Sequence, residues 1–265
     1  MFIDSDCYQE LADFRYKLLG HIDIKPFDIV YSKIEHAPFF CIGNKDIPCI
    51  LITDCDLALN NHAVSARGDN IVYWFGTNVT VVSPTIEAIP IGLPQVNLFN
   101  NISDRSYIKQ YQKSPIKKTK LAYMNHSIST NYQERYSLYR DFKNRDWVTQ
   151  EGGLLRIPYK DYIIQLAQHY YVFSPPGAGI DCHRTWEALY VKTVPIVKDI
   201  YAMSFFKDLP MLFVKDYSEV TPELLLENLP RFKKMFETTI PKLDFTYWKN
   251  RIITKQQECK NAYLT

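Results

Sequence analysis

The sequence predicts an α/β protein built on parallel sheets, and three observations carry that prediction. The stretch 171–197, YVFSPPGAGIDCHRTWEALYVKTVPIV, reads as strand, glycine loop, helix and strand. A helix between two strands makes the pair parallel, because the crossover returns the chain to the same end of the sheet. Residues 49–53, CILIT, form an unbroken apolar run, the pattern of a central parallel strand buried on both faces. Residues 97–119 are polar, proline-marked and basic, and read as a linker between two such halves. A chain of 265 residues has room for one large domain or two small ones, and at 46% hydrophobic residues it can fill the core of either.

Taken in order, residues 4–20 carry Leu11, Phe14, Tyr16, Leu18 and Leu19 at roughly helical spacing and end at Gly20, which predicts a helix. Phe27–Tyr31 is a strand candidate, and residues 33–38 a loop bearing Glu35 and His36. Cys49–Thr53 delivers Asp54, Cys55 and Asp56 to its C-terminal end, the edge where open α/β sheets hold ligands. Asn60, Asn61 and His62 follow in a polar segment. Residues 70–74, 78–82 and 86–93 supply three more strand candidates, and Asn78-Val79-Thr80 is a formal glycosylation sequon. Beyond the linker, Lys120–Asn125 starts a second domain as a strand, and Tyr132–Lys143 is a helix bearing Arg135. Between them, His126–Asn131 brings Ser129 and Asn131 to a strand-to-helix junction, where hydroxyls, amides and an arginine suit phosphate. A strand at 147–149, a helix at 159–167, the central motif, a strand at 211–214 and helices at 222–236 and 244–263 complete the chain.

The polar residues of the central motif specify its chemistry. Pro175 and Pro176 stop the first strand, Gly177 and Gly179 open the loop, and Asp181 is the expected N-cap of the helix. Arg184 and Glu187 are three apart and share one face, with His183 beside them. A glycine loop at a helix N-terminus offers backbone N–H groups and a positive dipole end to phosphate. An arginine one turn in adds bidentate phosphate recognition, and a carboxylate further along can accept from ribose hydroxyls. Ser174, Gly177, Gly179, Asp181, His183, Arg184 and Glu187, with Ser129, Asn131 and Arg135, are therefore candidates for a nucleotide-diphosphate site. An ordinary turn followed by a surface Arg184–Glu187 pair would give the same pattern without a ligand. GAGIDC lacks the third glycine of the dinucleotide fingerprint and no Gly-Lys-Ser/Thr follows, which sets aside dinucleotide and P-loop readings.

Residues 174–197 closely resemble the C-terminal signature of exostosin-like glycosyltransferases, a Pro-Gly-x-Gly-x-Asp-x-x-Arg-x-Trp-Glu-Ala-Leu run before a Pro-Ile/Val-Val strand. ILITDCD, WFGTNV and IPIGLP are fainter echoes of relatives from bacteria and large DNA viruses. The resemblance implies a GT-B-like fold, two Rossmann-like domains facing a central cleft with a C-terminal helix crossing back to the first. Residues 1–110 would be the acceptor domain, 111–119 the linker, 120–242 the nucleotide-sugar domain and 243–265 the crossing helix. It further implies an inverting, metal-independent transferase without a cofactor. The donor would be a UDP-sugar such as UDP-xylose or UDP-glucuronic acid, and the acceptor a hydroxyl of a glycan, glycolipid or glycoprotein. Arg184 would contact the diphosphate and Glu187 the ribose.

In the first half, Asp54 and Asp56 admit two roles. One would deprotonate the acceptor hydroxyl, with His62 and His36 as fallback bases. Alternatively both would hold Mg²⁺ or Mn²⁺ against the diphosphate, as the Asp-x-Asp of GT-A transferases does. Loop carboxylates with no ligand are the plain alternative, and a catalytically silent nucleotide- or glycan-binding module is the rival from another class. A net charge of +2 is too small for a nucleic-acid footprint. The six cysteines, Cys7, Cys41, Cys49, Cys55, Cys182 and Cys259, show no CxxC pair and no zinc spacing, which fits reduced thiols. No apolar run approaches the roughly 18 residues of a membrane span, and the first residues lack the order of a signal peptide. The expectation is a soluble protein of the cytoplasm, in a bacterium or a virus-infected host cell.

Overall fold

The computed structural model describes residues 1–16, 23–37, 46–95, 104–151 and 157–264. The chain divides into two compact units, Met1–Ile91 with Asp244–Thr265, and Gly92–Leu243. Each is built on its own five-stranded sheet, and every strand pair in both is parallel. The α/β, GT-B-like fold class expected from the sequence holds at this level. No helix among the described residues is long and apolar enough to cross a membrane.

In the first unit β1 (Phe14–Arg15), β2 (Ile29–Ser32), β3 (Cys49–Thr53), β4 (Ile71–Gly76) and β5 (Ile86–Ala88) lie side by side in sequence order. β2 and β3 are buried along their whole length, because a parallel sheet covered on both faces leaves no solvent side. CILIT is the strand its composition predicts. Elsewhere the expectations shift. Helix α1 covers only Ser5–Leu11: Asp4 caps it by accepting from the Cys7 N–H at 2.8 Å, and Ala12 turns extended. Phe14 and Arg15 then pair with Val30 and Tyr31 instead of continuing the helix; its expected end at Gly20 lies outside the described residues. Residues 78–82 form no strand, since Asn78 sits in the left-handed region at φ 55° and only Val79 bridges, to Leu59. A short helix α2 (Asn61–Ser65) is capped by Asn60.

The terminal helix, Phe245–Leu264, belongs to this first unit. Phe245, Trp248 and Ile252 are buried on it, and Arg251 grips Glu87 through Nε–Oε1 at 3.0 Å and Nη2–Oε2 at 2.7 Å. Each buried apolar side chain stabilises by roughly 1.5–3 kcal/mol, against about 1 kcal/mol or less for a half-exposed ion pair. Apolar packing therefore holds the helix, and the ion pair sets its register.

The second unit contains β6 (Lys120–Met124), β7 (Val148–Gln150), β8 (His169–Phe173), β9 (Val194–Lys198) and β10 (Leu212–Val214), in the order β10-β9-β8-β6-β7. The winding direction reverses between β6 and β8, which makes a switch point whose crevice opens at the C-terminal edge. Helix α3 (Ser106–Lys113) precedes the sheet. On one face α4 (Tyr132–Phe142) and α8 (Pro222–Glu237) pack Leu138, Phe142, Leu225 and Phe232 against Tyr171, Phe173, Val194 and Ile196. Alternate strand residues face the other way, toward α5 (Tyr159–Gln168) and α6 (His183–Tyr190), whose Ile163, Leu166, Trp186 and Leu189 are buried. A single turn, α7 (Tyr201–Ser204), lies between β9 and β10.

Residues read from the sequence as a linker belong to this unit. Residues 96–103 lie outside the described set, but α3 follows with Ile108 and Tyr111 buried. Lys118, one of a basic run, turns its ammonium inward. Its three N–H groups are shared among the carbonyls of Ala167 (3.0 Å), His169 (2.9 Å) and Val191 (3.2 Å) and Thr193 Oγ1 (2.7 Å). Burial pulls its pKa down to about 7. The side chain gathers the end of α5, the start of β8 and the turn before β9, so local composition misreads it. Lys118→Met is expected to cost about 2–3 kcal/mol in urea unfolding, by removing the donor that these carbonyls share. A loss below about 0.5 kcal/mol, the size of an ordinary surface substitution, would show that water replaces the ammonium.

Candidate functional site

The C-terminal edge of the second sheet gathers Asn125 and His126 after β6, Glu151 after β7, Ser174 after β8 and the first turn of α6. Tyr123 Oη donates to Glu151 Oε2 at 3.0 Å and accepts from Asn125 Nδ2 at 2.9 Å. Tyr162, on α5, donates to Glu187 Oε2 at 2.9 Å. Burial first, and the Glu187 charge second, push the Tyr162 and Tyr159 phenols well above their ordinary value. Glu187 itself is buried. The Nε2 of His126 lies 3.2 Å from the Arg135 carbonyl, which assigns the proton to Nε2 and leaves Nδ1 a buried acceptor without a partner.

Arg184 stands apart from this bonded set. It is half-buried, makes no hydrogen bond or ion pair among the described residues, and its Nε is buried without a partner. Its charge is nevertheless felt, since burial and then Arg184 pull the His126 imidazole down to about 3. Cys182 takes the N-cap position of α6 and makes no side-chain capping bond. The first-turn N–H groups of His183 and Arg184 have no acceptor within the helix, as at any helix start. An uncapped helix N-terminus beside a guanidinium with no partner among the described residues has the chemistry to accept an anion.

Most other residues expected to touch ligand make bonds within the unit. Asp181 is not the N-cap: both its oxygens accept from Trp186 Nε1 at 2.9 Å, on the buried side of the loop. Ser174 is buried against Thr185 Oγ1 at 2.9 Å. The Gly177 N–H donates to the Gly179 carbonyl at 2.8 Å, so it is not offered to phosphate. Asn131 Nδ2 donates to the Pro176 carbonyl at 3.3 Å, and Ser129 Oγ meets Ser127 Oγ at 3.0 Å on an exposed turn. His183 Nδ1 donates to the Gly92 carbonyl at 2.8 Å, where Gly92 holds the left-handed φ of 68° that glycine takes without strain. Arg135, 5% exposed, directs its guanidinium at loop atoms and is not a phosphate ligand in this arrangement.

In the first unit, Asp54 lies buried at the end of β3, where its Oδ1 accepts from Tyr31 Oη at 2.6 Å and from Lys33 Nζ at 3.0 Å. Burial and then Asp54 push the Tyr31 phenol up to about 12. At Lys33 burial works against the ammonium, but the carboxylate outweighs it and the pKa rises. Asp56 and His62 are exposed, and His36 ends a half-buried turn. Among the described residues no group of three or more His, Cys, Asp or Glu side chains could hold a metal. The Lys33 ammonium already neutralises Asp54, so the Asp-x-Asp is a poor donor set for a divalent cation.

His126, Tyr123, Glu151 and Tyr162 escaped the sequence reading. Glu151 directly follows β7 and His126 is separated from the end of β6 only by Asn125, and the rule that ligands gather at C-terminal strand ends would have flagged both. Tyr162 lies within a helix and meets Glu187 only through the fold, so nothing local marks it.

No family model matches the chain, and no curated protein matches it significantly. Among solved structures, the α,α-trehalose-phosphate synthase (UDP-forming) of Burkholderia vietnamiensis is similar over 91% of this chain and 75% of its own, with 9% identity and a TM-score of 0.52. The N-terminal domain of Candida albicans trehalose-6-phosphate phosphatase is similar over 89% of this chain and 71% of its own, at 9% identity and a TM-score of 0.47. A Rickettsia africae glycosyltransferase covers 89% of this chain and 75% of its own, at 12% identity and a TM-score of 0.36. The first likeness shows the fold alone, and the other two are too distant to carry an argument.

The buried imidazoles make the second unit acid-sensitive. Burial pulls His126 to about 3 and His169 to about 4, both below the ordinary 6.5. A depressed folded pKa means that stability is fully present above about pH 6.5 and is lost as pH falls toward 3. The thermal midpoint is expected to fall through that window, and His126→Gln/His169→Gln to flatten the slope. An unchanged slope in the double variant would assign the acid limb to carboxylates.

Proposed function

We propose that this chain is a glycosyltransferase that binds a nucleotide-diphosphate sugar at the C-terminal edge of the second sheet and transfers the sugar to a hydroxyl of a glycan, glycolipid or glycoprotein. The observation that carries the reading is Arg184, an unpartnered guanidinium at the uncapped start of α6. The resemblance of residues 174–197 to exostosin-like enzymes supports it, and so does the fold shared with a synthase whose name describes it as UDP-forming. A UDP-sugar, such as UDP-xylose or UDP-glucuronic acid, is accordingly the donor we favour.

In this reading the acceptor oxygen attacks the anomeric carbon as the bond to the diphosphate oxygen breaks, with inversion and without a covalent enzyme intermediate. The electron pair leaves on the diphosphate, where Arg184 and the α6 amides offset the growing charge; such preorganised stabilisation is usually the largest catalytic contribution. Glu187 fixes the ribose. The acceptor proton passes to a general base, for which the sequence offers Asp54, Asp56 and His62. Exposed Asp56 is the better candidate, because Asp54 is already engaged by Tyr31 and Lys33. No metal is assigned a step.

A thermal-shift panel of nucleotide sugars, with and without EDTA, tests the proposal, since a ligand of the folded state raises its apparent stability. A UDP-sugar is expected to stabilise the chain in EDTA. Arg184→Ala should weaken that donor by about 2–4 kcal/mol, and Asp56→Asn should keep donor affinity while losing turnover. A shift abolished by EDTA would revive the metal reading, and an active Asp56→Asn would move the base to Asp54 or His62. No shift with any nucleotide, or full affinity in Arg184→Ala, overturns the proposal.

A further inference from the structure

Arg135 is the fourth residue of α4, yet its guanidinium lies among backbone atoms of two loops. Nε donates to the Pro176 carbonyl at 2.9 Å and Nη2 to that of Pro175 at 3.0 Å, both in the loop after β8. Nη1 donates to the Ser127 carbonyl at 2.9 Å and to Thr130 Oγ1, both in the loop after β6. Nη2 also points at Cys182 Sγ, 3.7 Å away. All five N–H groups of the fork thus have an acceptor. These two loops flank the reversal of strand order, so no sheet hydrogen bond joins them beyond the strand ends.

Gly177 completes the arrangement. A Cβ added there would lie 2.5 Å from Arg135 Nη2 and 3.1 Å from Cζ, well inside contact distance. A side chain there would force the bonded guanidinium to shift, and no positive φ is involved, since Gly177 is absent from the positive-φ residues. Cys182, the N-cap of α6, sits at the far end of the same loop.

We infer that Arg135 is a positioning residue that locks the loops after β6 and β8 to each other, and that Gly177 is the socket for it. Through this lock Arg135 fixes the start of α6, and with it Arg184, without touching the donor. The link to donor binding rests on the proposed function; the lock itself does not. A planar fork with five directed donors can join two loops in this way, and a lysine cannot.

Hydrogen exchange on the ligand-free protein reads the lock directly. Arg135→Lys, which keeps the charge, and Gly177→Ala, which keeps the arginine, are each expected to speed exchange across residues 174–182 by about tenfold or more. Because both disturb one contact, the double variant Arg135→Met/Gly177→Ala should be no worse than Arg135→Met alone, within about twofold, whereas independent sites would add. Nucleotide-sugar affinity should fall in the same pattern. Unchanged exchange in Arg135→Lys, or strict additivity in the cycle, overturns the lock. Normal donor affinity in Gly177→Ala with lost affinity in Arg135→Lys would make Arg135 a direct ligand and overturn the positioning role. If no nucleotide binds the parent protein, the proposed function fails while the exchange result still decides the lock.

Discussion

Between β6 and β8 the second sheet reverses its winding, and connections that leave adjacent strands go to opposite faces. Loops diverging in this way carry carbonyls that no strand can satisfy, and a buried carbonyl without a donor is costly. Two side chains beside the crevice answer that requirement. Arg135 serves the carbonyls of Ser127, Pro175 and Pro176, while Asn131 adds a second donor to Pro176. Asp181 and Ser174 fasten the root of α6 through Trp186 and Thr185. The described strands of the first sheet wind in one direction, and the C-terminal edge of β2 and β3 is closed by Tyr31, Asp54 and Lys33.

Strands that are buried on both faces were the most legible part of the chain. CILIT reads correctly because nothing but a central parallel strand tolerates five consecutive buried residues there. The helix after the glycine loop was legible for its long stretch without a breaker. Residues 4–20 misled because Phe14 and Tyr16 fit a helical stripe equally well as they fit an edge strand; the Ala12 backbone decides, and no side chain announces it. Residues 78–82 have the composition of a strand, but the left-handed Asn78 ends the run before it can pair. Lys118 was hidden in a basic run, since an inward ammonium and a solvated one are the same letter.

The same ambiguity limits the site. Ser, Asn, Asp and Arg near a glycine loop suit phosphate, and they equally suit the backbone of the loop itself. The sequence cannot separate a side chain that satisfies a ligand from one that satisfies the scaffold presenting it. Burial and hydrogen bonding do separate them: Asp181 and Arg135 are each held by several bonds within the unit, and Arg184 by none among the described residues. The i,i+3 spacing of Arg184 and Glu187 suggested a pair, but Glu187 turns to Tyr162 and leaves the arginine alone.

That separation has an electrostatic consequence. Burial and then the neighbouring Arg184 lower the pKa of Arg135, and the same two causes keep His126 neutral. Neither guanidinium forms a salt bridge among the described residues. Arg135 is stabilised by oriented carbonyl dipoles, which neutralise its hydrogen-bonding demand but not its charge. Two like charges sharing a partly desolvated edge raise the free energy of the empty protein, unlike a buried pair of opposite sign. A dianionic diphosphate brought to α6 would remove that repulsion and supply acceptors for Arg184 at once. The strength of that contact would depend on how firmly the surrounding loops keep Arg184 from turning out to water.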